Sequence, residues 1–283
     1  MIKVTFPDGG IREYAEGTTA MQIAESISPR LAQEVLSASV NGEIVDLNRP
    51  IVSDAQIKLH KWEDPEGKKA FWHSSSHLMA EALEALYPGI KFGIGPSIEN
   101  GFYYDVDSPT PITEGDLPKI EKKMEELART KEAITRREVS KADAMKTYTE
   151  KGDQYKVELI EDLPEDAEIS FYSQGDWTDL CAGPHLMSVK GVKAFKLLSS
   201  SSAYWRGSEK NAMLTRIYGT AYATKDELKE HLEQMEEAKK RDHNKLGREM
   251  KIFTTVDVIG QGLPLIMPNG VIMMQELQRW IED

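Results

Sequence analysis

Four side chains that are able to bind a metal or move a proton lie in two short clusters. His73 and His77 belong to the segment HSSSH, and Cys181 and His185 belong to the segment CAGPH. A helix would place His73 and His77 one turn apart on the same face. Two such imidazoles, a thiolate and a third imidazole can complete a tetrahedral zinc site. If one of the four ligands is withdrawn, the open position can activate a water molecule.

The same side chains could also act without a metal. Imidazoles can position a water molecule and stabilise the charge that develops on an attacked ester carbonyl. The HxxxH pair alone is a weak signal, and its combination with a distant CxxxH is a much stronger one. The chain has six histidines. Because His60, His231 and His243 lack such neighbours in the sequence, we expect them at the surface.

Composition limits the class of protein and the compartment. A length of 283 residues allows two or three domains, and 40% hydrophobic with 29% charged residues is typical of a globular protein. No apolar run is long enough to span a membrane, and the start MIKVTFPDGG lacks the features of a signal peptide. A single cysteine excludes an internal disulfide and favours a reducing compartment. We therefore expect a cytoplasmic protein with no membrane partner.

The charge distribution bears on nucleic-acid binding. The net charge of -12 counts mildly against an RNA partner, because nucleic-acid-binding domains often carry a basic field. Two basic clusters, at 131–137 and 239–241, could nevertheless face phosphates, or they could be solvated helix faces. The sequence leaves both interpretations open.

Residues 1–62 predict a small β-rich domain. Apolar and polar residues alternate at its start, the Asn-Gly pair at 41–42 is a strong hairpin signal, and Thr18 or Thr19 can cap a short helix. This order of hairpin, helix and further strands is similar to the β-grasp domain called TGS. Any other small ubiquitin-like module would give the same pattern.

The next part of the chain mixes helical and strand patterns. A polar turn at 64–67 predicts a linker, and helical spacing predicts a helix from 68 to 87. Charged amphipathic helices and short apolar strands follow. Residues 63–224 are therefore predicted to form a mixed α+β domain.

The character of the chain changes after this domain. Residues 225–249 are highly charged with one apolar stripe, which predicts a single connecting helix. Residues 250–283 are rich in apolar residues, glycine and proline, with a helix expected from near Val271. The helical pattern reaches Asp283 without a stop signal, so we expect the chain to be a fragment of a longer protein.

Four segments together point to a family. HSSSHLMAEALEALYP, KFGIGPSIENGFYYDVD, TDLCAGPH and AYWRGSEKNAMLTRIYGTAY resemble, in order and spacing, the editing domain of bacterial threonyl-tRNA synthetases, which is related to freestanding alanyl-tRNA editing proteins. The resemblance implies an α+β architecture in which a TGS domain at 1–62 precedes an editing domain at 63–224. It also implies a linker helix at 225–249 and the truncated start of a class II catalytic domain at 250–283.

The resemblance also implies roles for individual residues. His73, His77, Cys181 and His185 are expected to line the editing pocket, with Lys156 as an added cation in catalysis. Asp179 is expected to bind the substrate amine, and Tyr104 to lie beside the terminal adenosine. Simpler interpretations remain: an exposed lysine at 156, a core aromatic at 104, and a turn or helix-cap aspartate at 179.

The function implied is hydrolysis of mischarged seryl-tRNA(Thr) by a part of threonyl-tRNA synthetase, the enzyme that joins threonine to tRNA(Thr) with ATP. The four His and Cys ligands hold zinc in the freestanding relatives, whereas the synthetase domain resembles a metal-free, water-mediated site. ATP, magnesium and the threonine-selecting zinc are expected only in the absent catalytic domain. A tRNA-binding module without catalysis and a structural zinc domain are the alternatives. The full-length enzyme is expected to be a homodimer and this fragment a monomer.

Overall fold

The computed structural model describes residues 1–260 and 262–282. Gln261 and Asp283, both within the predicted 250–283 segment, lie outside the described residues. The chain separates into a unit of residues 1–228 and a second unit that begins at Lys229. The predicted domains at 1–62 and 63–224 both fall within the first unit.

Residues 2–60 form a strand-rich subdomain with two helices after its first hairpin. Its elements are β1 (Ile2–Thr5), β2 (Ile11–Tyr14), β3 (Thr18–Thr19), α1 (Ala20–Ile27), α2 (Pro29–Glu34), β4 (Ser37–Val40), β5 (Glu43–Val45), β6 (Pro50–Ile51) and β7 (Ala55–His60). The main sheet has the order β2-β1-β7-β4-β5, in which β1 and β7 are parallel and the other pairs antiparallel.

Local signals explain this subdomain. The Thr19 side chain accepts a hydrogen bond from Gln22 N, and the Gln22 side chain accepts one from Thr19 N, so the two residues form a capping box that starts α1. Asn41 and Gly42 both have positive φ, as the tight turn between β4 and β5 requires. The crossover through α1 allows β1 to lie parallel to β7. The prediction of a β-grasp arrangement is confirmed.

Residues 65–222 form a larger mixed α+β region. Its elements are α3 (Pro65–Leu86), β8 (Lys91–Phe92), β9 (Ser97–Ile98), β10 (Gly101–Asp107), α4 (Leu117–Thr130), β11 (Ile134–Val139), α5 (Lys141–Lys151), α6 (Gln154–Glu161), β12 (Ile169–Gln174), β13 (Trp177–Leu180), β14 (Ala194–Tyr204) and β15 (Met213–Tyr222). The sequence patterns did not predict β8, β9, β10, β11, β13 or α6.

Two antiparallel sheets organise this region. One has the order β14-β15-β10-β8, with β9 paired to β10, and the other has the order β11-β12-β13. The core joins the buried face of α3 to the first sheet through side chains such as Leu78, Leu83, Phe102 and Ile217. These packed elements hold the predicted site residues on a rigid frame.

The predicted linker at 64–67 is wrong, because α3 already begins at Pro65. Proline is favoured at the first position of a helix, where its missing N–H would have no intrahelical partner. Gly67 then lies against the preceding chain: a Cβ there would stand 2.0 Å from the Lys61 carbonyl oxygen. The β-grasp subdomain is therefore joined directly to the helix that carries His73 and His77.

The predicted single helix at 225–249 is also wrong. The structure has α7 (Lys225–Lys240) and α8 (His243–Glu249), and the Asp242 side chain caps the second helix by accepting from Lys245 N at 2.8 Å. An aspartate favours such a cap over a helix interior, which explains the break. The second unit continues with β16 (Phe253–Thr254), β17 (Leu265–Ile266) and α9 (Pro268–Glu282).

The last helix starts at Pro268, one turn earlier than the predicted start near Val271. In the described part of the chain, no helix combines the length and apolar character needed to cross a membrane.

Candidate functional site

The two His and Cys clusters of the sequence meet in space. The long helix α3 supplies His73 and His77, and the loop after β13 supplies Cys181 and His185. The Cys181 Sγ atom lies 3.2 Å from His73 Nε2 and 3.2 Å from His185 Nε2. One ligand atom from each of the four residues lies within 4.8 Å of the others. The sequence prediction that these residues form one constellation agrees with this geometry.

Packing fixes the three imidazole rings against one another. The His185 ring centroid lies 4.1 Å from that of His73 and 4.1 Å from that of His77. The Tyr172 ring closes the other side of His185 at 4.5 Å. His77 and His185 are almost completely buried, whereas His73 is partly exposed. The site is thus enclosed, with His73 the most exposed of its three imidazoles.

Burial keeps this cluster uncharged. It lowers the pKa of His73 to about 4 and lowers the pKa values of His77 and His185 well below the ordinary imidazole range. Neighbouring imidazoles lower the pKa values of His77 and His185 further. Burial also raises the pKa of the Cys181 thiol to about 12. At neutral pH the site therefore presents neutral imidazoles and a protonated thiol.

Hydrogen bonds orient the rings. Ser74 Oγ donates to the Ala70 carbonyl and accepts from Leu186 N, so its contact with His185 Nδ1 at 3.2 Å uses the remaining acceptor position of the hydroxyl. His185 then carries its proton on Nδ1 and presents a lone pair from Nε2. The His73 ring donates to the Pro184 carbonyl. The Cys181 S–H can donate to either facing Nε2 atom.

A buried ion pair lies beside this cluster. Lys156 Nζ is 2.7 Å from Asp179 Oδ1, and both residues are 2–3% exposed. His77 Nε2 is 3.9 Å from Asp179 Oδ2, so the carboxylate links the imidazole cluster to the ammonium. Burial would raise the pKa of Asp179, but the Lys156 ammonium and the hydrogen bonds from Lys156 and Tyr104 outweigh it and lower that pKa overall.

The position of Lys156 depends on the start of α6. Asp153 caps this helix by accepting from Tyr155 N and Lys156 N, and its other oxygen accepts from Phe92 N at 3.0 Å. A cation in the first turn of a helix is unfavourable toward the helix dipole. The carboxylates of Asp153 and Asp179 compensate for this placement.

Two tyrosines complete the surroundings of Asp179. Tyr104, on β10, donates a short hydrogen bond to Asp179 Oδ2, and Tyr148 donates to Oδ1 at 3.4 Å. Burial and the neighbouring carboxylate raise the pKa of Tyr104 well above its usual range. Its hydroxyl therefore remains a donor at neutral pH.

The structure distinguishes between the simpler interpretations of Lys156, Tyr104 and Asp179. An exposed lysine at 156 is wrong, because the side chain is buried in an ion pair. Tyr104 is a core aromatic that is 1% exposed, and its hydroxyl also serves the polar network. Asp179 has internal partners for both oxygens. The expected contacts of Tyr104 with adenosine and of Asp179 with the substrate amine stay predictions.

The sequence did not identify the residues that support the site from outside it. Ser74 fixes His185, and Asp46 in the β-grasp subdomain accepts from His185 N at 2.7 Å. The run of three serines in α3 was a usable signal, because serines that are buried in a helix must find acceptors. Asp46 had no comparable local signal.

The donor set fits zinc. Nitrogen and sulfur ligands at tetrahedral positions around zinc stand roughly 3.3–3.6 Å apart, given metal–ligand distances of about 2.0–2.3 Å. The Sγ to Nε2 separations of 3.2 Å are close to this spacing. His73, His77, Cys181 and His185 would be the ligands, and the thiol would lose its proton on binding.

His60 was expected at the surface, but it is buried. It is 2% exposed, and its Nε2 lies 2.6 Å from Ser39 Oγ. With Asp64 and Glu66 it forms a second group of possible ligand atoms. His231 is half-buried and His243 is exposed, so the surface prediction is confirmed for His243.

The two basic clusters have acidic neighbours. Arg136, on strand β11 and not on a helix, pairs with Glu138 and Glu168. Lys239 and Lys240 pair with glutamates one turn earlier along α7. These pairs reduce the basic field that a phosphate backbone would meet.

Comparisons with known proteins agree with the two parts of the first unit. Residues 2–61 match the family described as TGS domain. Residues 169–218 match the family described as threonyl and alanyl tRNA synthetase second additional domain. The second match includes Asp179, Cys181 and His185.

The chain is similar over almost its whole length to proteins named threonine--tRNA ligase. The identity is 60% with that of Parabacteroides distasonis, covering 99% of this chain and 43% of the relative. It is 58% with that of Bacteroides fragilis (99% and 44%) and 54% with that of Cytophaga hutchinsonii (100% and 44%). The chain spans less than half the length of these relatives.

Proposed function

We propose that this chain, as a close relative of part of the threonyl-tRNA synthetases with their TGS and second additional domains, hydrolyses mischarged seryl-tRNA(Thr). The observation that carries the proposal is the meeting of three neutral imidazoles, one thiol and a buried Lys–Asp pair in the region that includes the second additional domain. The complete protein would then join threonine to tRNA(Thr) with ATP, and its aminoacylation site would lie outside this chain.

The magnitude of substrate discrimination explains why a hydrolytic site is needed. Serine is smaller than threonine by one methyl group, so a threonine pocket cannot exclude it sterically. One such group changes the binding free energy by only about 1–3 kcal/mol, or about 10- to 200-fold in selectivity. A second site that accepts the seryl ester and rejects the bulkier threonyl ester supplies the missing discrimination.

His73 is the residue best placed to orient the attacking water. It is the most exposed of the three imidazoles, and its low pKa leaves it unprotonated and able to accept a proton at neutral pH. The oxygen of water attacks the ester carbonyl, and one water proton passes to the base. Collapse of the tetrahedral species breaks the bond to the ribose oxygen, which takes up that proton and leaves serine.

Lys156 supplies the positive charge. Its ammonium is almost fully buried, so its attraction for a developing oxyanion is screened less than that of a surface lysine. Asp179 holds the ammonium in place, with Tyr104 and Tyr148 holding the carboxylate. Cys181, His77 and His185 then shape the pocket around the ester.

Zinc is the alternative chemistry of the same site. A bound zinc ion would supply a Lewis acid and lower the pKa of a coordinated water. A four-ligand closed site would instead make this a structural zinc domain. The resemblance to the synthetase editing domain favours hydrolysis without a required metal.

The test is the release of radiolabelled serine from seryl-tRNA(Thr), beside threonine release from threonyl-tRNA(Thr), before and after treatment with a chelator. Serine-selective release that survives chelation supports metal-free hydrolysis. Loss of release on chelation supports the zinc mechanism. Binding of tRNA without release contradicts the hydrolytic proposal and favours a tRNA-binding module.

Variants locate the chemistry. His73→Ala and Lys156→Ala should each reduce serine release by about 100-fold or more, as does loss of a base or an oxyanion donor in other enzymes. His243→Ala, at an exposed position in the second unit, is the matched control and should leave the rate unchanged. Intact release from both site variants would contradict the assignment.

Several wider expectations belong to the same proposal. They are a cytoplasmic location, a full-length homodimer, and a fragment that is monomeric by sedimentation. ATP and magnesium would act only in the complete enzyme. Residues 250–283 would be the start of the class II catalytic domain, and residues 63–224 the whole editing domain.

A further inference from the structure

One aspartate of the β-grasp subdomain reaches the candidate site. Asp46 follows strand β5, and its backbone carbonyl closes a turn by accepting from Arg49 N. Although Asp46 lies in a loop, it is only 7% exposed. Its side chain is directed into the larger α+β region and away from its own subdomain.

Both carboxylate oxygens of Asp46 have partners there. Oδ1 accepts from the backbone N–H of His185 at 2.7 Å, and Oδ2 accepts from the Tyr172 hydroxyl at 2.5 Å. Burial raises the pKa of Tyr172 above its usual range, and the Asp46 carboxylate adds a smaller increase, so the hydroxyl remains a donor. The aspartate thus bridges a site residue and the aromatic side chain that packs on it.

The segment that Asp46 contacts has little regular structure of its own. Residues 181–185 follow the end of β13 as a loop, with Gly183 at a φ of +75°. A Cβ at Gly183 would stand 2.1 Å from the Tyr172 hydroxyl oxygen, so the tyrosine lies directly against the loop. A short loop without ladder hydrogen bonds needs outside contacts to keep one conformation.

The loop is held at its two ends by different parts of the chain. At Cys181, the backbone N–H donates to the Ser170 carbonyl, and the Ser170 hydroxyl donates to the Cys181 carbonyl. At His185, the backbone N–H is held by Asp46 from the other subdomain. Loss of Asp46 would leave a buried donor without its acceptor and would loosen this end of the loop, where Ser74 would still hold Leu186 N and the His185 ring.

We propose that Asp46 is a positioning residue for the hydrolytic site, so that the β-grasp subdomain completes the site by fixing the loop of Cys181 and His185. The effect on rate rests on the proposed function. The effect on loop order does not, because it follows from the two hydrogen bonds alone. The two effects are measured separately.

Loop order can be measured without any tRNA. Cys181 is the single cysteine of the chain, so its rate of alkylation by iodoacetamide reports the accessibility of the loop. Asp46→Ala should raise this rate about tenfold, and Tyr172→Phe should raise it by a smaller factor. Arg49→Ala is the control: it breaks the neighbouring contact with Glu168 without touching the loop, and should leave alkylation unchanged.

The rate of serine release from seryl-tRNA(Thr) is then measured on the same proteins. Asp46→Ala should lower kcat about tenfold with little change in KM, and Asp46→Asn should recover part of the loss because its carbonyl can still accept from His185 N. Thermal melting identifies any variant that fails to fold. If Asp46→Ala does not fold, Tyr172→Phe and Asp46→Asn carry the test.

The outcomes separate the two proposals. The positioning role is overturned if the folded Asp46→Ala and Tyr172→Phe variants are alkylated at Cys181 at the wild-type rate. It is also overturned if Arg49→Ala raises the alkylation rate as much as Asp46→Ala does. Unchanged kcat in a variant whose loop is loosened also overturns it. If the wild-type protein releases no serine while alkylation follows the expected pattern, the proposed function fails and the link between Asp46 and the loop stands.

Discussion

The Lys156 ammonium and the Asp179 carboxylate form an ion pair with 2.7 Å between Nζ and Oδ1, and both side chains are almost fully buried. A buried charge whose partner is removed is strongly destabilising, because it has lost both water and its counter-ion. This pair therefore contributes to the stability of the fold as well as to the chemistry of the proposed site.

Lys156→Met and Asp179→Asn test that relationship by a double-mutant cycle. Each single change should lower the free energy of unfolding by about 3 kcal/mol, and the double variant should lose about 1–3 kcal/mol less than the sum. Urea denaturation measures all four proteins. The exposed pair Lys229–Glu233 is the control, with an expected coupling below about 0.5 kcal/mol. Strict additivity at the buried pair would contradict the prediction.

The low pKa of His73 predicts an unusual acid limit for hydrolysis. An ordinary imidazole base would lose half its activity near pH 6.5, whereas His73 should stay unprotonated until the pH approaches about 4. In chelator-treated protein, kcat/KM for serine release should therefore be nearly constant from about pH 8 to about pH 5.5. An acidic limb centred near pH 6.5 would show that His73 is not the base.

Gly95→Ala should disturb the site indirectly. A Cβ at Gly95 would stand 2.3 Å from the Tyr104 ring, which cannot move without shifting its hydrogen bond to Asp179. Overpacking of this kind lowers stability by about 1–3 kcal/mol. Gly115→Ala is the matched control, because its Cβ would meet no atom closer than 3.6 Å. Equal melting temperatures and equal rates of serine release for the two variants would contradict the prediction that Gly95→Ala disturbs the site.

Glu81 predicts a pH-dependent stability outside the site. It is half-buried, accepts from Gln174 Nε2 at 2.7 Å, and has a pKa raised to about 7, chiefly by burial. The folded protein therefore retains a proton that the unfolded chain releases above about pH 4.5, so stability falls as the pH rises through this window. Glu81→Gln should remove that loss and gain about 1–2 kcal/mol at pH 8, with no gain at pH 4.5.

Chemical denaturation at both pH values checks the Glu81 prediction. Glu125→Gln, at an exposed position of α4, controls for the loss of one negative charge. A gain at pH 8 that is the same for both variants would point to net charge as the cause.

Much of the local structure was predictable from local signals. The capping threonine at 19, the Asn-Gly turn and the helical spacing around His73 each act within a few residues, so a reading of the sequence finds them. The errors have the same origin. The 64–67 segment and the break near Asp242 were misjudged because a first-turn proline and a cap resemble a linker and a polar helix face, respectively.

Contiguous patterns such as HxxxH, CxxxH and their flanking segments identify the side chains that could do chemistry and the family that they resemble. How those side chains are charged and held depends instead on contacts between residues that are far apart in the chain. The burial that makes the imidazoles neutral, the partner of Lys156, and the reach of Asp46 to His185 across 139 positions are long-range properties. No short window of residues encodes them, since each depends on which distant surfaces the fold brings together.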